Sequence, residues 1–346
     1  MDDSTAASLT PAPAAVGVPR AAPAAAETLA ALDLGTNNCR LLIARRAGPA
    51  GFRVVDAFSR IVRLGEGLTA SGCLSEAAMA RTIAALAVCR GKLAQRRVVR
   101  GRYVATEACR RAVNCAQFVE RVQEETGIAL EIITTEEEAR LAVNGCASLL
   151  DPRIPYAVVF DIGGGSTEVV WLRQEVRGGR LQRDVLGVVS LPHGVVSLTE
   201  RHGGRGVALA GYEAMIAEIA PAIARFEAAH AIGRRIAAGE VQMLGTSGTV
   251  TTLAGLHLDL PRYNRNVVDG TWLSFEEIHA ISRRLAGLDL ASRSLLPCVG
   301  AERDDLVVAG CAILEAICDA WPVGMLRVAD RGVREGILIG LSAAPA

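Results

Sequence analysis

The chain has 346 residues with 37 basic and 37 acidic side chains, 51% hydrophobic and only 4% aromatic. Zero net charge argues against broad non-specific binding to DNA or to a membrane surface, and so few aromatic residues leave no stacking platform for single-stranded nucleic acid. The length suits two domains, each with a sizeable core.

Residues 1–26 are rich in Ala and Pro, with Asp2 and Asp3 where a signal peptide carries positive charge and with Pro11, Pro13, Pro19 and Pro23 breaking any helix. They read as a disordered tail and not as a targeting segment. No run of about 18 apolar residues follows, so no membrane span is expected.

The first strong signal is Ala31-Leu32-Asp33-Leu34-Gly35-Thr36-Asn37-Asn38-Cys39-Arg40, running into apolar Leu41-Leu42-Ile43. This is strand, tight turn, strand. Phe52 to Phe58 reads as a third strand, and Ser75 fits the N-cap of a helix reaching Leu93, with apolar residues at Met79, Ile83 and Leu86. Tyr103 to Ala105 is strand-like and leads to Thr106-Glu107-Ala108-Cys109-Arg110-Arg111. An arginine there either clamps phosphate bidentately or is simply solvated at a helix start. Arg96, Arg97, Arg100 and Arg102 form a basic cluster, readable as a solvated face or as a polyanion track. Cys115 to Thr126 reads as a helix stopped by Gly127. Leu130 to Ile133 is a strand, after which Thr135 caps a helix opened by Glu136, Glu137 and Glu138. Those acids either favour the helix dipole or include a general base that orients water, and the local sequence does not pick which one.

Asp151 to Pro155 is a connector, which places an N-terminal lobe at 27–152 and a C-terminal lobe at 153–346, the last helix packing back on the first lobe. The second lobe opens with Phe160-Asp161-Ile162-Gly163-Gly164-Gly165-Ser166-Thr167-Glu168 before apolar Val169 to Leu172. It is the first device repeated. Glycines let backbone N–H groups approach an anion, while Asp33, Asp161 and Glu168 are too acidic to hold phosphate without a divalent cation between. Further on, Arg177 to Arg180 reads as a turn, Tyr212 to His230 as a helix and Gln242 to Leu244 as a strand. Gly245-Thr246-Ser247-Gly248-Thr249 then precedes a helix, as an anion contact or as an ordinary capping turn. Phe275 to Leu285 and Leu306 to Asp319 are further helices.

Nine cysteines lie scattered without a C-x-x-C pair, and five histidines show no ligand spacing. Reduced, mostly buried thiols in the cytoplasm are the reading. Lys92 is the only lysine, so no Gly-Lys-Ser/Thr phosphate loop exists.

Taken in order, the two hairpins, Arg63-Leu64-Gly65-Glu66-Gly67, the Ala-Thr-x-x-x-Arg segment ending at Arg110, Glu137-Glu138-Ala139-Arg140, Ser190-Leu191-Pro192-x-Gly194, Gly245 to Thr249 and Asp330-x-Gly332-Val333-Arg334-Glu335-Gly336 resemble the exopolyphosphatase/guanosine-pentaphosphatase phosphatase family. The match runs from Leu29 to Leu341. The resemblance implies an α/β fold of two ribonuclease H-like lobes, of the actin-like ATPase superfamily, around an interdomain cleft. It implies hydrolysis of the terminal phosphoanhydride of polyphosphate or of guanosine pentaphosphate, with Mg²⁺ or Mn²⁺, by a cytoplasmic homodimer. Glu138 inherits the general base, and Asp161 and Glu168 the cation and water positions. Asp33, Gly35, Thr36, Asn37, Asn38, Arg110, Gly163, Gly164, Gly165, Ser166, Thr167, Gly245, Thr246, Ser247 and Gly248 inherit phosphate binding. The chain departs from the usual pattern at Cys39 and at Thr135-Glu136, and it resembles the short members, which lack the helical and C-terminal domains of long ones. A non-catalytic polyphosphate or alarmone sensor and a sugar or acyl kinase of the same superfamily are the competing readings. Retained Glu138, Asp161 and Glu168 count against the sensor.

Overall fold

A computed structural model describes residues 27–48, 51–204, 209–300 and 303–344. The tail expected at 1–26 lies outside the described residues. The strands are β1 (Thr28–Leu34), β2 (Asn38–Arg46), β3 (Phe52–Ile61), β4 (Arg100–Ala105), β5 (Glu131–Ile132), β6 (Tyr156–Ile162), β7 (Thr167–Arg177), β8 (Arg180–Leu191), β9 (Val241–Thr246), β10 (Trp272–Ser274) and β11 (Met325–Ala329). They form one sheet in the order β3-β2-β1-β4-β5 and a second in the order β10-β11-β9-β6-β7-β8. In each, an antiparallel hairpin (β1–β2, β6–β7) is extended by an antiparallel third strand, while the hairpin's first strand pairs in parallel with a later one (β4, β9). That is the ribonuclease H-like order, met twice.

The sequence pattern explains the layering. Alternate residues of β1 face opposite sides: Ala30, Leu32 and Leu34 pack with the Glu76–Gln95 and Cys115–Thr126 helices, while Leu29 and Ala31 pack with Leu141, Val333 and Ile337. A strand covered on both faces reads as a continuous apolar run, as Leu29 to Leu34 nearly does. The Thr135–Cys146 helix lies between the sheets, with Leu141 and Ala142 toward the first and Ala139, Val143 and Cys146 toward the second. The last helix, Val333–Ala343, packs back against β1 and against that helix. The two helices cross so closely that a Cβ on Gly145 would overlap the Gly332 carbonyl, and one on Gly336 the Leu141 carbonyl.

The expected elements are present with shifted ends. Ser75 accepts from Ala78 N–H at 3.2 Å, and Gly127 closes its helix at φ 68°. The Arg177 to Arg180 turn joins β7 to β8 through Gly178 and Gly179, both at positive φ, the conformation a two-residue hairpin turn needs. Two details differ. β5 is only two residues, and Ile133 N–H makes the last bond to β4, onto the Ala105 carbonyl at 3.2 Å. The cap is therefore Thr134 and not Thr135; its Oγ1 accepts from Glu137 N–H at 3.2 Å. All nine cysteines are unpaired, and seven are buried. Among the described residues no helix is long and apolar enough to cross a membrane.

The basic cluster is in part a solvated face, with Arg96 and Arg97 exposed, and most of its charge is already paired. Arg96 pairs with Asp56, Arg100 with Glu27, and Arg102 with Glu131 and Glu137. Guanidiniums already held by carboxylates are poorly placed to serve as a polyanion track.

Candidate active site

Both hairpin loops point into one cleft, because each follows a central strand whose register is set by the buried faces of its sheet. The turns close alike: Gly35 N–H donates to Asn38 O, and Gly163 N–H to Ser166 O, both at 2.9 Å. The glycines are needed for close approach and not for positive φ. A Cβ on Gly164 would stand 2.9 Å from Thr36 Cβ and 3.1 Å from Asn37 N, and one on Gly165 would stand 2.8 Å from Thr36 Oγ1. The second loop is also braced from behind, by Val195 N–H to Gly163 O (3.0 Å) and Val196 N–H to Gly164 O (2.8 Å). Opposite the hairpins, Ser247 caps the Gly248–His257 helix through Val250 N–H at 3.1 Å.

The cleft brings Asp33, Gly35 to Asn38, Asp161, Gly163 to Ser166, Ser247, Gly248 and Glu138 together, with Glu107, Arg40 and Arg303 added. Several expected residues sit behind this lining. Arg110 donates to Glu107 Oε2 (3.0 and 3.2 Å) and to the Ile133 carbonyl (3.0 Å), and its Nη1 lies 2.8 Å from Glu138 Oε2. Its guanidinium therefore faces carboxylates. Glu168 is 2% exposed and accepts from Ser166 Oγ at 2.7 Å and Ser190 Oγ at 2.9 Å. Thr167 is tied to the His193 carbonyl at 2.6 Å, Thr246 to the Arg331 carbonyl at 2.7 Å, and Gly245 packs against Phe160.

Electrostatically the floor of the cleft is an acid cluster. Burial, then the neighbouring Glu168 and Asp33, push the Asp161 carboxyl up to about 7. Burial also raises Asp33. Glu138 is pushed well above the ordinary range, first by burial and then by the Glu168 carboxylate, with Arg110 pulling the other way. Asp33 and Asp161 have no hydrogen-bond or ion-pair partner among the described residues, whereas buried carboxylates normally find one. Asn37 Oδ1 and Asn38 Oδ1 are likewise buried acceptors without a hydrogen bond, whereas Glu138 Oε2 has its ion-pair contact with Arg110.

Across the cleft edge the lobes touch through Arg63, which forks onto Asp305 at 2.8 and 3.2 Å, and through Gly67 N–H to Glu200 Oε1 at 2.9 Å. Sequence reasoning missed Arg40, Glu107 and Arg303. The alternation of the first hairpin could have found Arg40, which lies opposite Asp33 in the ladder. No local signal marks Arg303.

The Ppx/GppA phosphatase family matches residues 42–344. Exopolyphosphatase 2 of Mycobacterium tuberculosis is 30% identical over 328 residues, covering 91% of this chain and 98% of that protein. The solved Aquifex aeolicus member of the Ppx/GppA protein family is similar with a TM-score of 0.69 at 28% identity, over 91% of this chain and 97% of that one. A solved exopolyphosphatase-like protein reaches 0.80 at 28% identity, over 91% and 98%. Two hairpin loops on duplicated sheets, an acid-lined cleft between them and a match along nearly the whole chain lead to one conclusion: the chain belongs to the Ppx/GppA phosphatase family.

Proposed function

We propose that the protein is an exopolyphosphatase, releasing orthophosphate from the end of inorganic polyphosphate. The observation that carries this reading is Glu138, a mostly buried carboxylate set beside Arg110 and opening onto a cleft walled by two glycine loops. In this reading a water in the cleft gives its proton to Glu138 while its oxygen attacks the terminal phosphorus. The bond to the bridging oxygen breaks, and the shortened chain departs with that oxygen. Burial raises the Glu138 pKa above the ordinary carboxylate range and so makes it a stronger base. Arg110 positions Glu138 and does not itself reach the substrate. The loop N–H groups, that of Ser166 among them, and the side chains of Thr36, Asn37 and Asn38 supply donors to the terminal phosphate, with Ser247 and Gly248 on the opposite wall. Thr167, Gly245 and Thr246 support these loops from behind.

A divalent cation fits the donor set. Asp33 and Asp161 are two partly buried carboxylates without a partner, an arrangement that is costly until a counter-charge arrives. Among the described residues no three metal-binding side chains converge, so the other ligands would be water and substrate oxygens, as is usual for Mg²⁺. Glu168, occupied by two serines, fits as support for the loop better than as a ligand. When bound, the cation neutralises charge on the transferring phosphoryl group.

The reading is tested with purified protein and Mg²⁺, measuring phosphate released from long polyphosphate, tripolyphosphate and guanosine pentaphosphate in parallel. Release from polyphosphate is expected. Release from guanosine pentaphosphate alone would reassign the substrate, and binding without release from any of the three would favour the sensor.

A further inference from the structure

The cleft has two openings of very different size. On the side of Ser247 and Tyr263 it widens into a cavity of about 740 Å³. Behind the glycine loops it adjoins a slot of about 10 Å³, bordered by Gly65, Thr69 and Arg111 of the first lobe and by Gly165 and Val196 of the second. The slot shares Thr36, Glu107 and Gly165 with the cleft and no residue with the wide opening. Thr36 and Glu107 thus line both spaces, as a partition one side chain thick. Glycine keeps the slot open. A Cβ on Gly165 would stand 2.8 Å from Thr36 Oγ1 and 2.9 Å from Glu107 Cγ, and one on Gly65 would overlap Thr36 Cγ2. The outer end lies on the seam between the lobes, near the exposed bond from Gly67 N–H to Glu200 Oε1. Water can replace such a bond at little net cost. Arg111 is exposed there, and its one ion-pair contact among the described residues, to Glu107 Oε1, is 4.0 Å long.

Resting on the exopolyphosphatase reading, we infer that this slot is the exit for orthophosphate, with Arg111 at its mouth to receive the anion. Cleavage at a chain end leaves the product against the loops. The shortened chain still stands behind it, on the side wide enough to have admitted it. Orthophosphate then leaves by the front after the whole chain has let go, or by the rear while the chain stays. The slot as it stands is about the size of one water. The rear route therefore opens when the seam between the lobes parts, a motion of the kind that sets turnover in many enzymes. Beyond the partition, the Arg111 guanidinium offers the anion a forked, charged partner.

The test compares two full-length variants in the presence of Mg²⁺. Thr69→Trp plugs the mouth from an exposed position, and Ala70→Trp puts the same ring one residue along, at a position that does not line the slot. On long polyphosphate, Thr69→Trp should keep the rate of the first turnover, read by acid quench, while steady release of free phosphate falls about fivefold or more. On tripolyphosphate the pyrophosphate remnant leaves readily by the front, so steady release should change less than about twofold. Ala70→Trp should match the parent on both substrates. Arg111→Glu leaves the slot open and reverses the charge at its mouth. It should repeat the Thr69→Trp pattern, and it decides the matter if the tryptophan variant does not fold. Unchanged steady release from long chains in either folded variant overturns the exit, as does an equal loss on tripolyphosphate. A first turnover slowed as much as the steady rate also overturns it, because the slot would then feed water to the chemistry. A parent chain that releases phosphate from no polyphosphate would instead sink the exopolyphosphatase reading.

Discussion

The β1–β2 and β6–β7 loops have the same length and the same closing bond, yet the residues at their bases differ. Across the ladder, Asp33 faces Arg40 in the first hairpin, and Asp161 faces Glu168 in the second. The first thus sets a base opposite its acid, though the two form no ion pair. The second gathers two acids, one of them satisfied by Ser166 and Ser190. A similar asymmetry separates the two helices that cross between the sheets. The fourth residue of Thr135–Cys146 is Glu138, and the fourth of Val333–Ala343 is Gly336. One copy presents a carboxylate to the cleft, while the other is bare so that the helices can touch. Duplicated backbone therefore places equivalent positions symmetrically, and side-chain differences at those positions give the site its polarity.

The largest effect that would sharpen this comparison is at the helix position itself. Glu138→Gln should lower phosphate release by two to four powers of ten with the fold intact, the usual reach of one positioned base. A fall of less than about threefold, with unchanged circular dichroism, would leave Glu138 as no more than an acid in a helix's first turn.

Its counterpart should fail through packing. In Gly336→Ala the new methyl meets the Leu141 carbonyl, and backbone cannot yield as a flexible side chain can. A loss of about 1–3 kcal/mol in urea unfolding is expected. Gly340→Ala, on the same helix and with nothing within 4 Å of the added Cβ, should be neutral or stabilise by up to about 1 kcal/mol. Equal effects at the two sites would mean that the crossing is looser than it looks.

The smallest effect tests the hairpins. At about ten times its dissociation constant, Mg²⁺ should stabilise the chain by about 1.4 kcal/mol, which for a domain of this size is a melting shift of about 2–4 °C. Asp161→Asn should abolish the shift, and Ser190→Ala should keep it, because that hydroxyl serves Glu168. A full Mg²⁺ shift in Asp161→Asn would move the cation elsewhere.

Much of this was legible in the chain. Apolar runs ending in Asp-x-Gly marked both hairpins, Ser75 and Gly127 marked a helix start and a helix stop, and the Gly-Gly pair between Arg177 and Arg180 marked a tight turn. Such features rest on contacts within a few residues, which local composition controls. Thr134 was hidden by its neighbour Thr135: either threonine can cap, and the choice depends on where the chain leaves its pairing with β4. The arginines near residue 100 looked like a track because Asp56, Glu27 and Glu131, which neutralise them, come from other strands or from beyond them.

By itself, then, the sequence determined that two strand-turn-strand devices exist, that both are acidic and glycine-rich, and that a run of three glutamates opens a helix near them. Tertiary structure decided which of these charges meet. Glu138 lies beside Arg110 and under the field of Glu168, and Arg63 from one lobe meets Asp305 from the other. Charge interactions act through space and grow as water is excluded, so their outcome depends on how the two sheets are brought together by the crossing helices, which no local stretch of residues encodes.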